Sequence, residues 1–183
     1  TIELNDVNQS TWRSITSRFC SEIKISDDEE GKKNEKRYKK MGKSIPYKKG
    51  QEMDGIIRYL TNKTGQNIHD NGTIEVTSNY VDSSDPPKNV VDFNNNNYYC
   101  SGNFKSDAWI CFNFKSMEIE ISNYTIKSAS TSGHAKNWVI EVSNDGNNWT
   151  EIHQVTNYSG LNGSNIIKTF EVQKKQKCKF KNT

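Results

Sequence analysis

The sequence is short of apolar material, holds no apolar run of membrane-spanning length and has few cysteines, none of them in a C-x-x-C pair. Each shortage excludes something. At 32% hydrophobic residues and a mean hydropathy of −0.92, the 183 residues are not expected to share one core. Without a span there is no transmembrane helix. Cys20, Cys100, Cys111 and Cys178 are too widely spaced for a structural zinc site, and the chain is too long for a small disulfide scaffold. Reduced, half-buried thiols are the expectation. The opening Thr-Ile-Glu-Leu-Asn does not read as a signal peptide, and a first residue other than Met is expected of a fragment.

The net charge of +3 invites a nucleic-acid reading until the charges are located. Residues 21–50 carry ten basic and six acidic side chains, whereas residues 51–173 carry eight basic and fourteen acidic ones. The last ten residues add five lysines and no acid. The body is acidic and the basic residues sit in appendages, which argues against a nucleic-acid-binding face. Residues 21–50, with sixteen charged side chains of thirty, are expected to be a solvated, flexible linker. Before it, Trp12, Ile15 and Phe19 at i, i+3 and i+7 predict a short amphipathic helix within residues 1–20.

The body, residues 51–183, opens with one helical stripe, Met53, Ile56, Ile57 and Leu60, stopped at Gly65. The period then becomes two. Ile74 and Val76 alternate, as do Ile110, Phe112 and Phe114, and Ile119 and Ile121 lead to Tyr124 and Ile126. Trp138, Ile140 and Val142 share a face, Asn144-Asp145-Gly146-Asn147 makes a hairpin turn into Trp149 and Ile152, and Ile166, Phe170 and Val172 close the series. Six or seven short strands separated by Asn/Ser/Gly loops predict an all-β fold, an antiparallel jelly-roll β-sandwich preceded by the short helix and charged linker.

Catalytic grammar is lacking: there is no P-loop, G-x-G-x-x-G, H-E-x-x-H or G-x-S-x-G. His69, His134 and His153 fall at loop-like positions, and Glu118 and Glu120 share one strand face turned to solvent, so no enzyme is expected. Seven Asn-x-Ser/Thr sequons occur among 23 asparagines, where roughly four are expected from composition alone. At Asn148 the alternation buries the following Trp149, which makes a glycan there awkward.

From Gly65 to Val172 the sequence resembles a factor 5/8 type C domain, the discoidin or galactose-binding-like domain. The carrying stretches are Asn-Gly-Thr-Ile-Glu-Val-Thr-Ser (71–78), Pro-Lys-Asn-Val-Val-Asp (87–92), Ala-Trp-Ile-Cys-Phe-Asn-Phe (108–114), Tyr-Thr-Ile-Lys-Ser (124–128) and Lys-Asn-Trp-Val-Ile-Glu-Val-Ser-Asn-Asp-Gly-Asn-Asn-Trp-Thr-Glu-Ile (136–152). With Gly-Ile-Ile-Arg-Tyr-Leu-Thr (55–61) it is similar to the subgroup of intracellular eukaryotic proteins, often beside BTB/POZ domains. That context implies a cytoplasmic protein in which residues 1–20 end an upstream region. Cys100 and Cys111 lie inside the body, so the disulfide joining the domain ends in extracellular members has no counterpart. The family continues beyond Phe170-Glu-Val with further strands, and their absence here implies a C-terminally truncated, marginally folded domain with an open edge.

The resemblance also implies a function. Loops at one end of the sandwich bind ligands, here 79–88, 94–107 and 128–136, carrying Tyr80, Asp82, Tyr98, Tyr99, Phe104, His134 and Lys136. A protein partner is the first expectation and a carbohydrate the second. Tyr98 and Tyr99 would serve either as a sugar platform or as a cap on the core. Membrane attachment is disfavoured because these loops carry little basic charge. Some members hold a structural calcium near Asp92, to which Asp92 and Asn97 correspond; no other cofactor is implied.

Overall fold

The computed structural model describes residues 43–94, 96–101, 107–115, 117–130 and 134–175, and the backbone of four short strands outside them. In chain order the elements are β1 (Ile2–Leu4), β2 (Ile15–Thr16), β3 (Glu22–Lys24), β4 (Lys43–Ser44), α1 (Ile56–Thr64) and β5 (Glu75–Ser78). A 3₁₀ turn (Pro87–Val91) follows, then β6 (Ile110–Asn113), β7 (Glu118–Glu120), β8 (Asn123–Ser128), β9 (Trp138–Val142), β10 (Thr150–Val155), β11 (Ile167–Glu171) and β12 (Lys177–Lys179). Three sheets form, ordered β1-β8-β11, β10-β9-β2-β6-β5 and β12-β7-β3-β4.

α1 exists for the reason its pattern gives. Ile56, Ile57 and Leu60 are buried along one stripe, and Gly65 ends the helix at φ 69°, its N–H donating to the Thr61 carbonyl. Strand alternation holds in β6, where Ile110 and Phe112 are buried, and in β9, where Trp138, Ile140 and Val142 are buried. β8 breaks alternation: its last five residues are all buried. The polar ones are accommodated by partners, since the Thr125 hydroxyl donates to the Glu52 carbonyl at 2.9 Å and the Ser128 hydroxyl to the Gly163 carbonyl at 2.6 Å. Around β8 and β9 the rings of Tyr124, Trp138, Tyr158 and Phe170 pack at centroid distances of 5.1–5.8 Å.

Several expectations change. Ile15–Thr16 is extended, not helical, and pairs in parallel with β6 and β9; the rest of the expected helix lies outside the described residues. Two strand edges facing one gap present unpaired N–H and C=O groups, which an extended segment satisfies on both sides. β1 also pairs in parallel, on β8, so the sandwich is not wholly antiparallel. Residues 43–50, inside the expected linker, dock on the body: Ile45 packs on the core and the Lys43 ammonium stands 3.8 Å from the Tyr59 ring centroid. Past Val172, where the domain was expected to lack its further strands, β12 pairs antiparallel with β7.

Trp149 is 37% exposed rather than buried, its indole N–H donating to the Gly146 carbonyl at 3.1 Å. His153 is buried in β10 rather than in a loop. Both follow from a register shift between Glu151 and His153, which buries the adjacent Ile152 and His153 and ends the simple alternation. Cys100 and Cys111 are half-buried thiols; Cys20 lies outside the described residues and only the backbone of Cys178 is described.

Candidate functional site at the loop end of the sandwich

Because β2 runs parallel to both β6 and β9, those two strands point the same way. The segments entering them, 79–109 and 129–137, therefore meet at one end. Residues 156–166 join them there, since Val155 ends β10 opposite Trp138. The three expected loops do share an end.

The first two loops are stitched into one framework. Asn79 accepts the Trp109 N–H at 2.9 Å and donates to the Asp107 carbonyl at 2.9 Å. The Tyr80 hydroxyl donates to the Asp107 carboxylate at 2.9 Å, and that bond, with burial, pushes the phenol above its usual range. Tyr99 is fully buried and its hydroxyl donates to the Tyr80 carbonyl at 2.8 Å. It caps the core and is no ligand platform, because a phenol enclosed on all sides presents no face to bind. Asp82 accepts the Ser84 N–H at 3.0 Å and the Ser84 hydroxyl at 2.6 Å, which hold its carboxyl below the ordinary range. Asp85 is pushed the other way by burial and by the Asp82 charge. Tyr98 is half-buried, its phenol raised by the Asp85 carboxylate beside it. Val81, between Tyr80 and Asp82 in the chain, stands 56% exposed.

The third loop contributes less. His134 is half-buried, its Nδ1 has no hydrogen-bond partner among the described residues, and burial pushes its pKa down. Lys136 is exposed, while its carbonyl accepts the Tyr158 N–H at 2.9 Å. Phe104 lies outside the described residues.

The expected calcium ligands do not fit a hard cation as they are arranged. One Asp92 oxygen accepts the Asn94 N–H at 2.7 Å and the other accepts from Asn97 Nδ2 at 2.8 Å, so N–H donors face both oxygens. Among the described residues no group of three His, Cys, Asp or Glu side chains is placed to hold a metal ion.

Sequence reasoning missed Val81 and Asp107. Val81 was an isolated apolar residue in a turn, and nothing local pairs Tyr80 with an aspartate in another loop. It also missed a cavity of about 590 Å³ beside α1, whose wall includes Arg58, Phe93, Lys127 and Asn165.

A jelly-roll β-sandwich with a rigid loop cluster at one end is the architecture of a binding module. A model of the F5/8 type C domain matches residues 73–180, more than half of the chain, and the chain belongs to that family. Domains of this family are ligand-binding and interaction modules that take proteins or carbohydrates. No curated protein and no solved structure matches the chain. Among the described residues no helix is long and apolar enough to cross a membrane.

Proposed function

We propose that the chain is a non-catalytic interaction module that binds a protein segment through its loop end, in an intracellular setting. The observation that carries this reading is Val81, 56% exposed in a hydrogen-bonded loop between Tyr80, which donates to Asp107, and Asp82, which accepts from Ser84. An exposed apolar residue in a loop that also carries aspartates suits a partner with an apolar side chain flanked by lysine or arginine. Tyr99 is buried and Tyr80 is engaged with Asp107, so the aromatic platform of a sugar site is weakened, and the aspartates disfavour anionic membranes. A non-catalytic role is supported by the histidines: His69 Nδ1 accepts the Val76 N–H at 3.0 Å as a loop anchor, and His153 is enclosed by rings.

The test uses the full chain as bait in cell extract, as wild type and as Val81→Asp, at low and high salt. Proteins retained by the wild type and lost both with Val81→Asp and at high salt are expected. Identical retention by the two chains would refute the loop end as the docking surface. A glycan-array signal abolished by the same substitution would transfer that surface to carbohydrate.

A further inference from the structure

Residues 43–50 form an arm that, with α1, encloses an open cleft of about 320 Å³. The arm is held from two sides. Ile45 packs on the core, and just past the arm the Glu52 carbonyl accepts the Thr125 hydroxyl of β8 at 2.9 Å. Between these anchors the chain turns, the Gln51 N–H donating to the Lys48 carbonyl at 3.0 Å and the Asp54 N–H to the Gln51 carbonyl at 3.0 Å. The arm also lines a crevice with Ser122 to Thr125, where β8 begins. The other end of β8 leads into residues 129–137 at the loop end, so the arm sits toward the opposite end of the sandwich.

The cleft reverses the charge of the body. Residues 51–173 carry eight basic and fourteen acidic side chains, yet Lys43, Lys48 and Arg58 line the cleft against one acid, Asp54. Asp54 stands 4.0 Å from Arg58 in a solvated i,i+4 pair of little strength. Among the described residues neither Lys43 nor Lys48 is in an ion pair. The Lys43 ammonium lies 3.8 Å from the Tyr59 ring centroid, a contact that places it and leaves N–H donors for an anion. The neighbouring acid Glu52 is engaged by the arm itself, accepting the Gly50 N–H at 2.8 Å.

The rest of the lining suits a peptide. Asn62, four residues after Arg58, shares its face of α1 and adds an amide that donates and accepts. Ile45, Pro46 and the Tyr59 ring add apolar surface beside the cations. The cations belong to two elements on either side of the cleft, which suits a ligand with several charges along its length better than one compact ion. Because both elements are anchored, little ordering is left for binding to impose.

We propose that this cleft docks an acidic peptide segment of a partner protein, its carboxylates on Lys43, Lys48 and Arg58 and an apolar side chain against Ile45, Pro46 and Tyr59. It is a second interface, of the opposite charge preference to the loop end. A membrane or a nucleic acid suits it less, because an extended polyanion also meets the acidic body around the cleft.

The test is fluorescence anisotropy on the full chain with two labelled synthetic peptides, Leu-Glu-Glu-Asp-Leu-Glu-Glu and its amide counterpart Leu-Gln-Gln-Asn-Leu-Gln-Gln. The acidic peptide should bind at least about tenfold tighter than the amide one, and less tightly at high salt. Arg58→Glu and Lys48→Glu should each weaken it by about fivefold or more. Lys48 is exposed in the turn, so its variant should melt at the wild-type temperature. Lys168→Glu makes the same charge change on exposed β11, outside the cleft, and should leave binding within about twofold, as should Val81→Asp at the loop end. No binding, equal binding of the amide peptide, binding untouched by both cleft variants, or a Lys168→Glu loss as large as theirs would each overturn the proposal. So would displacement of the peptide by inorganic phosphate, phosphatidylserine vesicles or a single-stranded oligonucleotide at equal concentration.

Discussion

At the scale of single residues, the pair that most constrains the core is Tyr124 and Trp138. The Trp138 indole N–H donates to the Tyr124 hydroxyl at 2.7 Å, with both side chains fully buried. Burial also pushes the Tyr124 hydroxyl well above the usual phenol range, so it stays protonated throughout ordinary conditions. Tyr124→Phe keeps the stacking on Phe170 and removes only the acceptor, which leaves the indole N–H buried without a partner. The expected cost is about 1–3 kcal/mol, read as a lower urea midpoint with an unchanged m-value. An unchanged midpoint would mean that the indole finds another acceptor. Residue identities at the loop end were legible in the same partial way. Tyr80, Asp82 and Tyr98 stand among the loops the sequence pointed to, yet the sequence did not tell that Tyr99 is core or that Tyr80 spends its hydroxyl on Asp107, because both depend on contacts between distant segments.

At the scale of elements, α1 shows what periodicity reveals. Its stripe of Ile56, Ile57 and Leu60 and its stop at Gly65 were both readable, because each is a local consequence of 3.6-residue geometry and of the left-handed cap. A Cβ at Gly65 would meet nothing within 4 Å, so Gly65→Ala tests the backbone alone. It should destabilise the chain by roughly 1 kcal/mol, with Gly65→Asn costing distinctly less, in paired thermal melts. Equal melts for glycine and alanine would deny the cap its role. Strands β5, β6, β7 and β9 were legible for the same reason of period. The Glu151–His153 register shift was not, because two adjacent buried residues, one apolar and one a histidine, look like no period at all. Pairing was also hidden, since parallel strands such as β2 are joined by register and not by any local signal.

At the scale of the whole molecule, the acidic body gathers its loops at one end of the sandwich. Its buried titratable groups then decide how the fold responds to pH. His153, 9% exposed and edge-on to Tyr124 with ring centroids 5.5 Å apart, and half-buried His134 both have Nδ1 atoms without partners among the described residues, and burial lowers both pKa values. Above the unfolded-state value of about 6.5 they are neutral in both states and cost nothing. As pH falls below it, the unfolded chain takes up protons that the folded chain refuses, so stability declines until the folded values are reached, by at most about 1.4 kcal/mol per pH unit for each histidine. A second decline follows at lower pH. Asp145, which accepts N–H bonds from Asn147 and Asn148, and Asp82 have depressed carboxyls whose stabilisation is present above the unfolded carboxylate range and lost as pH falls through their folded values. Asp85 opposes this weakly, since its raised carboxyl is relieved by protonation. Urea midpoints should therefore be level from pH 8 to 7, begin a first fall below about pH 6.5, and fall further below about pH 4. His153→Gln should flatten the first fall and leave the second, because only the first depends on a buried imidazole; a first fall of the same depth in that variant would place the acid sensitivity elsewhere than at His153.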